Sequence, residues 1–192
     1  MGQFDRFRAG HSDAMWARAA VEGGAAGVVG GVAMTLGEKL EQRATGRPSS
    51  YVPARTLERL LGLLERPGRQ PVALNLAMHL GQAALLGGLR GVMATAGLRG
   101  PWASAMFLGV RLTNDQTLEN ATGVGAPPWT WPRRELVVDL VHKAVYAFAT
   151  GVVADALAAR RGPGPGRIHA ELVPGRHPDI GPPPRRRRRR AR

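Results

Sequence analysis

The sequence predicts an all-α fold, a four-helix transmembrane bundle. Three observations carry that prediction. Four apolar stretches recur along the 192 residues; glycine is concentrated in the first of them; and all four tryptophans stand at stretch ends. The length allows one domain and a tail, divided as a polar N-terminal segment (1–18), a helical membrane domain (19–160) and a disordered basic tail (161–192). Hydrophobic residues make up 44% but aromatics only 5%, so the apolar share is mostly Ala, Leu and Val, without the alternation a sheet requires. There is no cysteine, which excludes disulfides, Cys-ligated zinc, iron–sulfur clusters and thiol catalysis.

The first stretch, Gly23 to Gly37, is uncharged. Its glycines at 23, 24, 27, 30, 31 and 37 would together cost a water-exposed helix about 5 kcal/mol relative to alanine. A whole soluble domain is stable by only about 5–15 kcal/mol. In a bilayer the same residues are useful, because Gly23, Gly27 and Gly31 repeat every four residues, the small-xxx-small spacing that lets helix backbones approach. No cleavable signal peptide and no myristoylation signal are evident before it.

Between the first and second stretches, Tyr51 to Arg66 reads as a short amphipathic helix. Leu57, Leu60, Leu61 and Leu64 share a face, and Pro53 stands near the start. Such a helix either lies along a membrane surface or caps the bundle. The second stretch, Pro71 to Leu89, has nineteen residues without a formal charge and alone approaches the ~20 that span a bilayer. The third, Gly100 to Val110, is short and leads into Arg111. The segment Asn114 to Pro132 reads as an acidic amphipathic turn and then a Gly/Pro-rich loop with Trp129 and Trp131. Leu136 to Ala159 forms the fourth stretch. Trp16 and Trp102 open the first and third, the headgroup-level placement of membrane proteins.

Polar residues inside these stretches fall on helical faces. Glu135, Asp139, His142, Tyr146 and Thr150 follow steps of four and three; Asn75, His79, Gln82 and Arg90 share a face interrupted by Leu86. Ser104, Arg111 and Asp115 align with Leu108 among them, and the first stretch offers Gly27, Gly31, Thr35, Glu38 and Gln42. In lipid these faces turn toward one another. The candidate polar core is therefore Glu38, His79, Arg90, Arg111, Asp115, Asp139 and His142. It would serve either as a set of interhelical ion pairs fixing the packing, or as a polar pathway for protons or a small solute with the two histidines titrating. Asp139 and His142 have the carboxylate–histidine spacing of di-iron bundles, but that motif is needed twice and stands here once, so no metal and no cofactor is expected. No G-x-S-x-G, P-loop, H-E-x-x-H or G-x-G-x-x-G occurs, and no enzyme is expected.

The Gly-rich first helix, NLAMHLGQAALLGGL in the second and LVHKAVYAFATG in the fourth resemble small four-helix bacterial inner-membrane proteins of YagU-like layout, over about residues 20–157. The resemblance implies a membrane location and supplies no catalytic residues.

The formal net charge is +13, and ten Arg stand against Glu171 and Asp179 from residue 161 onward. This Gly/Pro/Arg segment has a disordered composition. Its run Arg185, Arg186, Arg187, Arg188, Arg189 and Arg190 is expected to meet anionic headgroups, each basic residue contributing about 1 kcal/mol near the surface. An even number of spans puts both termini on one side. Lys and Arg number sixteen on that side and nine on the other, which makes it the cytoplasmic face of a bacterial inner membrane. The expected function is a non-catalytic scaffold or stress-related membrane component, possible as a homo-oligomer in contact with the lipid bilayer. The alternatives are a small proton-coupled or polar-solute transporter, and a soluble basic protein binding nucleic acid non-specifically. Without an aromatic in the tail to stack on bases, nucleic acid is not the expected partner.

Overall fold

A computed structural model describes residues 3–65, 68 and 70–172, and the Arg185–Arg190 run lies outside them. The described chain is helical, with no strand among the described residues. Six α-helices follow in order: α1 Gln3–Thr45, α2 Val52–Leu60, α3 Val72–Ala96, α4 Pro101–Ala121, α5 Arg133–Ala159 and α6 Pro165–Leu172. A single 3-10 turn, Pro128–Thr130, precedes α5. Three helical segments are long and apolar enough to cross a membrane: Asp13–Thr45 within α1, then α3 and α5. The sequence led to four. The difference is α4, whose 21 residues carry Arg111, Asp115 and Glu119 and so lack a sufficiently apolar run.

The helices alternate in direction. Gly23 of α1 lies against Gly87 and Gly91 of α3, and Gly31 of α1 against Ala83, so α1 and α3 are antiparallel. Gly30 of α1 meets Tyr146 and Thr150 of α5, while Glu22 pairs with Arg161 beyond the end of α5, so that pair is antiparallel too. Ser104 of α4 touches Gly151, and Asp115 reaches Lys143, which sets α4 antiparallel to α5. The four long helices thus run down, up, down, up. One end of the bundle carries α6 and the α3–α4 turn, where Gly97 closes α3 in the left-handed region at φ 110°. The other carries α2 and the loop before α5.

The α1–α3 contact explains the glycine spacing. A Cβ added to Gly27 would lie 2.8 Å from Gly87 Cα, and one on Gly87 would lie 2.5 Å from Gly27 Cα. Gly23 and Gly91 exclude each other's Cβ in the same way. Backbone therefore meets backbone, and the small-xxx-small face is consumed inside the chain.

What fills the interior is small or polar. Ala19, Ala26, Ala83, Ala94, Ala147, Ala154 and Ala158 are buried, joined by Met34 and by the tilted ring pair Phe107–Tyr146 with centroids 5.7 Å apart. Many large apolar side chains point outward: Val21, Val29, Val32, Leu36 and Leu40 on α1, Leu76, Leu85 and Leu89 on α3, Val137, Val141, Phe148 and Val152 on α5. That is the inverse of a water-soluble protein, in which such residues are the most often buried. Trp102 and Trp129 are exposed at opposite ends of the bundle.

Three connecting segments differ from expectation. Asn114–Ala121 forms the last two turns of α4, because its side chains continue the buried face begun by Ser104 and Arg111. The helix expected over Tyr51 to Arg66 ends at Leu60, and its buried side chains are Ala54, Thr56 and Glu58. It rests against α3 through Ala54 N–H, which donates to Asn75 Oδ1 at 3.2 Å, while Leu60, Leu61, Leu63 and Leu64 are exposed. Capping of the bundle and an outward leucine patch therefore coexist. Beyond Arg161, where the composition reads as disorder, Pro165–Leu172 is helical, and Gly164 and Gly166 pack against the Thr95 and Ala96 carbonyls at the end of α3.

Candidate functional site

The inward faces produce two separate polar clusters. Near the α6 end, Arg90 is fully buried, and its Nη2 lies 2.8 Å from Asp155 Oδ1. Its guanidinium also donates to the Leu98 carbonyl (3.3 Å) and, at 3.5 Å, to Ser104 Oγ. Asp155 Oδ2 accepts the Gly100 N–H at 2.7 Å, so one carboxylate both neutralises α3 and ties down the start of α4. The backbone permits this because Gly151 brings α5 against Ser104 and Arg90.

The second cluster lies toward the α2 end. Arg111 and Asp115 pair at 3.0 Å, one turn apart on α4. Asp115 also accepts from Gln82 Nε2 of α3 at 2.8 Å and stands 3.3 Å from Lys143 Nζ of α5. Lys143 donates to Asp139 at 2.7 Å. Below them, the Arg111 guanidinium sits 5.0 Å from the centroid of the Tyr146 ring, a cation–π contact, and Tyr146 Oη donates to the Ala83 carbonyl at 2.8 Å. Phe107, Tyr146 and the close α1–α3 contact form a packed floor.

Above that floor opens a cavity of about 510 Å³, within the size range of small-molecule sites. Six of the seven polar-core candidates line it: Glu38, His79, Arg111, Asp115, Asp139 and His142. Arg90 does not; it belongs to the α6-end cluster. Glu38 accepts from Gln42 within α1 at 2.8 Å, where a cross-bundle cation was expected. Lys143 and Asp155 were not among the sequence candidates. Their signal was available, since a charge inside an apolar stretch demands a partner, but which partner depends on helix rotation. Thr56, Glu119 and the loop residues Gly125 and Trp131 also border the cavity and could not be assigned to it from sequence.

Three buried polar atoms of residues that line this cavity have neither a hydrogen-bond nor an ion-pair partner: Thr56 Oγ1, His79 Nδ1 and Arg111 Nη1. Outside the helices long and apolar enough to cross a membrane, the mouth is braced by Arg59, which donates to the Thr122 carbonyl at 2.7 Å and pairs with Glu65 at 2.6 Å. That hydrogen bond holds the Glu65 carboxyl below its ordinary range. Among the described residues no three His, Asp or Glu side chains gather as a metal-ligand set. No protein-family model, curated protein or solved structure matches this chain, so the YagU-like resemblance remains one of layout and the reading of the site rests on its geometry.

Proposed function

We propose that this chain is an integral membrane protein that admits a small polar solute from one side into a vestibule between four helices. The observation that carries the reading is the cavity near the α2 end, with polar side chains from α1, α2, α3, α4 and α5 around it and buried polar atoms lacking partners. In hydrocarbon an unsatisfied polar group costs several kcal/mol, which favours water or a solute in that space. The fourth spanning helix in this reading is α4. Its exposed residues up to Thr113, among them Trp102, Met106 and Val110, are uncharged, and Arg111 and Asp115 face inward. Four spans would put both termini on the cytoplasmic face of a bacterial inner membrane, with the vestibule opening opposite.

The competing reading is a non-catalytic scaffold, favoured by the ion pairs that neutralise one another and by the glycine interlock. Because the chain contains no cysteine, single cysteines can be introduced cleanly. Ser50→Cys and Met34→Cys, at the mouth and inside, should both react with a small water-soluble thiol reagent in sealed vesicles, while Val29→Cys on the outer face should not. An unreactive Met34→Cys would mean that the bundle is dry and would favour the scaffold.

A further inference from the structure

The cavity is polarised along its length. Its floor holds Arg111, whose Nη1 is a buried donor without a partner although the residue is only 3% exposed. Toward the mouth stand Glu38 and Glu119. Glu119 lies eight residues beyond Arg111 on α4, and Glu38 eight beyond Gly30, which packs at the Tyr146 level, so each is about 12 Å above the floor along its helix. Each cation on the lining is already matched to a carboxylate: Arg47 to Glu41, Arg111 to Asp115, Lys143 to Asp115 and Asp139. Glu38 and Glu119, like the exposed Glu135 at the start of α5, have no ion pair among the described residues. The floor therefore holds a donor without an acceptor, and the upper wall holds carboxylates whose neighbouring cations are already paired elsewhere.

Resting on the vestibule reading above, we propose that the solute is a small zwitterion of the amino-acid class. Its carboxylate enters first and accepts from Arg111 Nη1, and its ammonium is held nearer the mouth by Glu38 and Glu119. A carboxylate is the acceptor a guanidinium N–H bonds most strongly, and an ammonium supplies donors to both glutamates. A simple anion would leave the two carboxylates unmatched and face their repulsion on entry. A simple amine would leave the buried donor orphaned.

The test uses the full chain in lipid nanodiscs. Glycine, β-alanine and γ-aminobutanoate are titrated calorimetrically beside propionate, butyrate, propylamine, butylamine and glycerol. At least one zwitterion should bind about tenfold more tightly than the carboxylate or amine of matching length, the increment expected of one charge-assisted contact. Glu38→Gln should weaken that zwitterion several-fold without strengthening the carboxylate to the same level. Arg111→Gln should abolish zwitterion binding. Because Arg111 is also part of an ion pair, Glu119→Gln serves as the second variant: it neutralises a cavity carboxylate that has no ion pair among the described residues, and should weaken the zwitterion several-fold while leaving the melting temperature of the empty protein unchanged. An amine or carboxylate binding as well as its zwitterion, or glycerol binding alone, would overturn the proposed solute class and leave the vestibule standing. No heat with any probe, together with an unreactive Met34→Cys, would remove the vestibule itself.

Discussion

Arg90 shows how a single charge is tolerated inside an apolar helix. It is fully buried between α3, α4 and α5, and Asp155 is its counter-ion at 2.8 Å. A buried pair contributes little net stability, but removing one partner strands the other, at a cost of about 3–5 kcal/mol. The Asp155 side chain is 21% exposed, so the lower figure applies. Asp155→Ala should destabilise the protein by about 3 kcal/mol, partly through the freed Gly100 N–H, whereas the double variant Arg90→Met/Asp155→Leu should lose clearly less. Unfolding in mixed micelles followed by circular dichroism measures both; equal losses would show that the pair is not the cause. The charge was visible in the sequence at Arg90, but the choice between Asp155 and the carboxylates nearer the α2 end was not. Helical spacing places a residue on a face and says nothing of which neighbour that face meets.

At the scale of an element, α1 is defined by what it lacks. Gly23 and Gly27 admit the α3 backbone, Gly30 admits α5, and the opposite face carries Val21, Val29, Val32, Leu36 and Leu40. Gly27→Val would drive a branched side chain into Gly87 and Ala83, and should cost about 3 kcal/mol or break the α1–α3 pair. Gly81→Val on α3 meets nothing within 4 Å and should change stability by less than about 0.5 kcal/mol. Thermal melts of the two variants against the parent protein test this, and a neutral Gly27→Val would refute the interlock. The spacing of these glycines predicted close approach. That the approach is to α3 of the same chain required the tertiary arrangement.

For the whole molecule, the decisive property is the distribution of side chains between inside and outside. Alanine, glycine and paired charges fill the bundle, and large aliphatics cover it, an arrangement that water would oppose and lipid favours. Both ends of the four-helix run meet where Glu22 pairs with Arg161, so the chain enters and leaves at the same end. If that end is cytoplasmic, as the excess of Lys and Arg there implies, a fluorescent-protein fusion after Arg192 should be bright and an alkaline phosphatase fusion at the same position inactive. Phosphatase activity there would reverse the orientation and put the vestibule mouth on the cytoplasmic side.

Composition and periodicity alone determined that the described chain is helical, that the first, second and fourth apolar stretches suit a membrane, and which faces of those helices are polar; the third stretch, also read as a span, does not meet the same measure of length and composition. These properties are local: they depend on hydrophobicity and on the 3.6-residue repeat, both legible within one segment. The sequence did not reveal that the polar faces divide into an α6-end cluster and a cavity near α2, that Lys143 and Asp155 complete them, or that Thr56 of a connecting helix reaches the same space as Arg111. Those outcomes depend on axial offset and rotation between helices. Backbone contact at Gly23, Gly27, Gly87 and Gly91 sets that offset, and it exists only once the helices have packed.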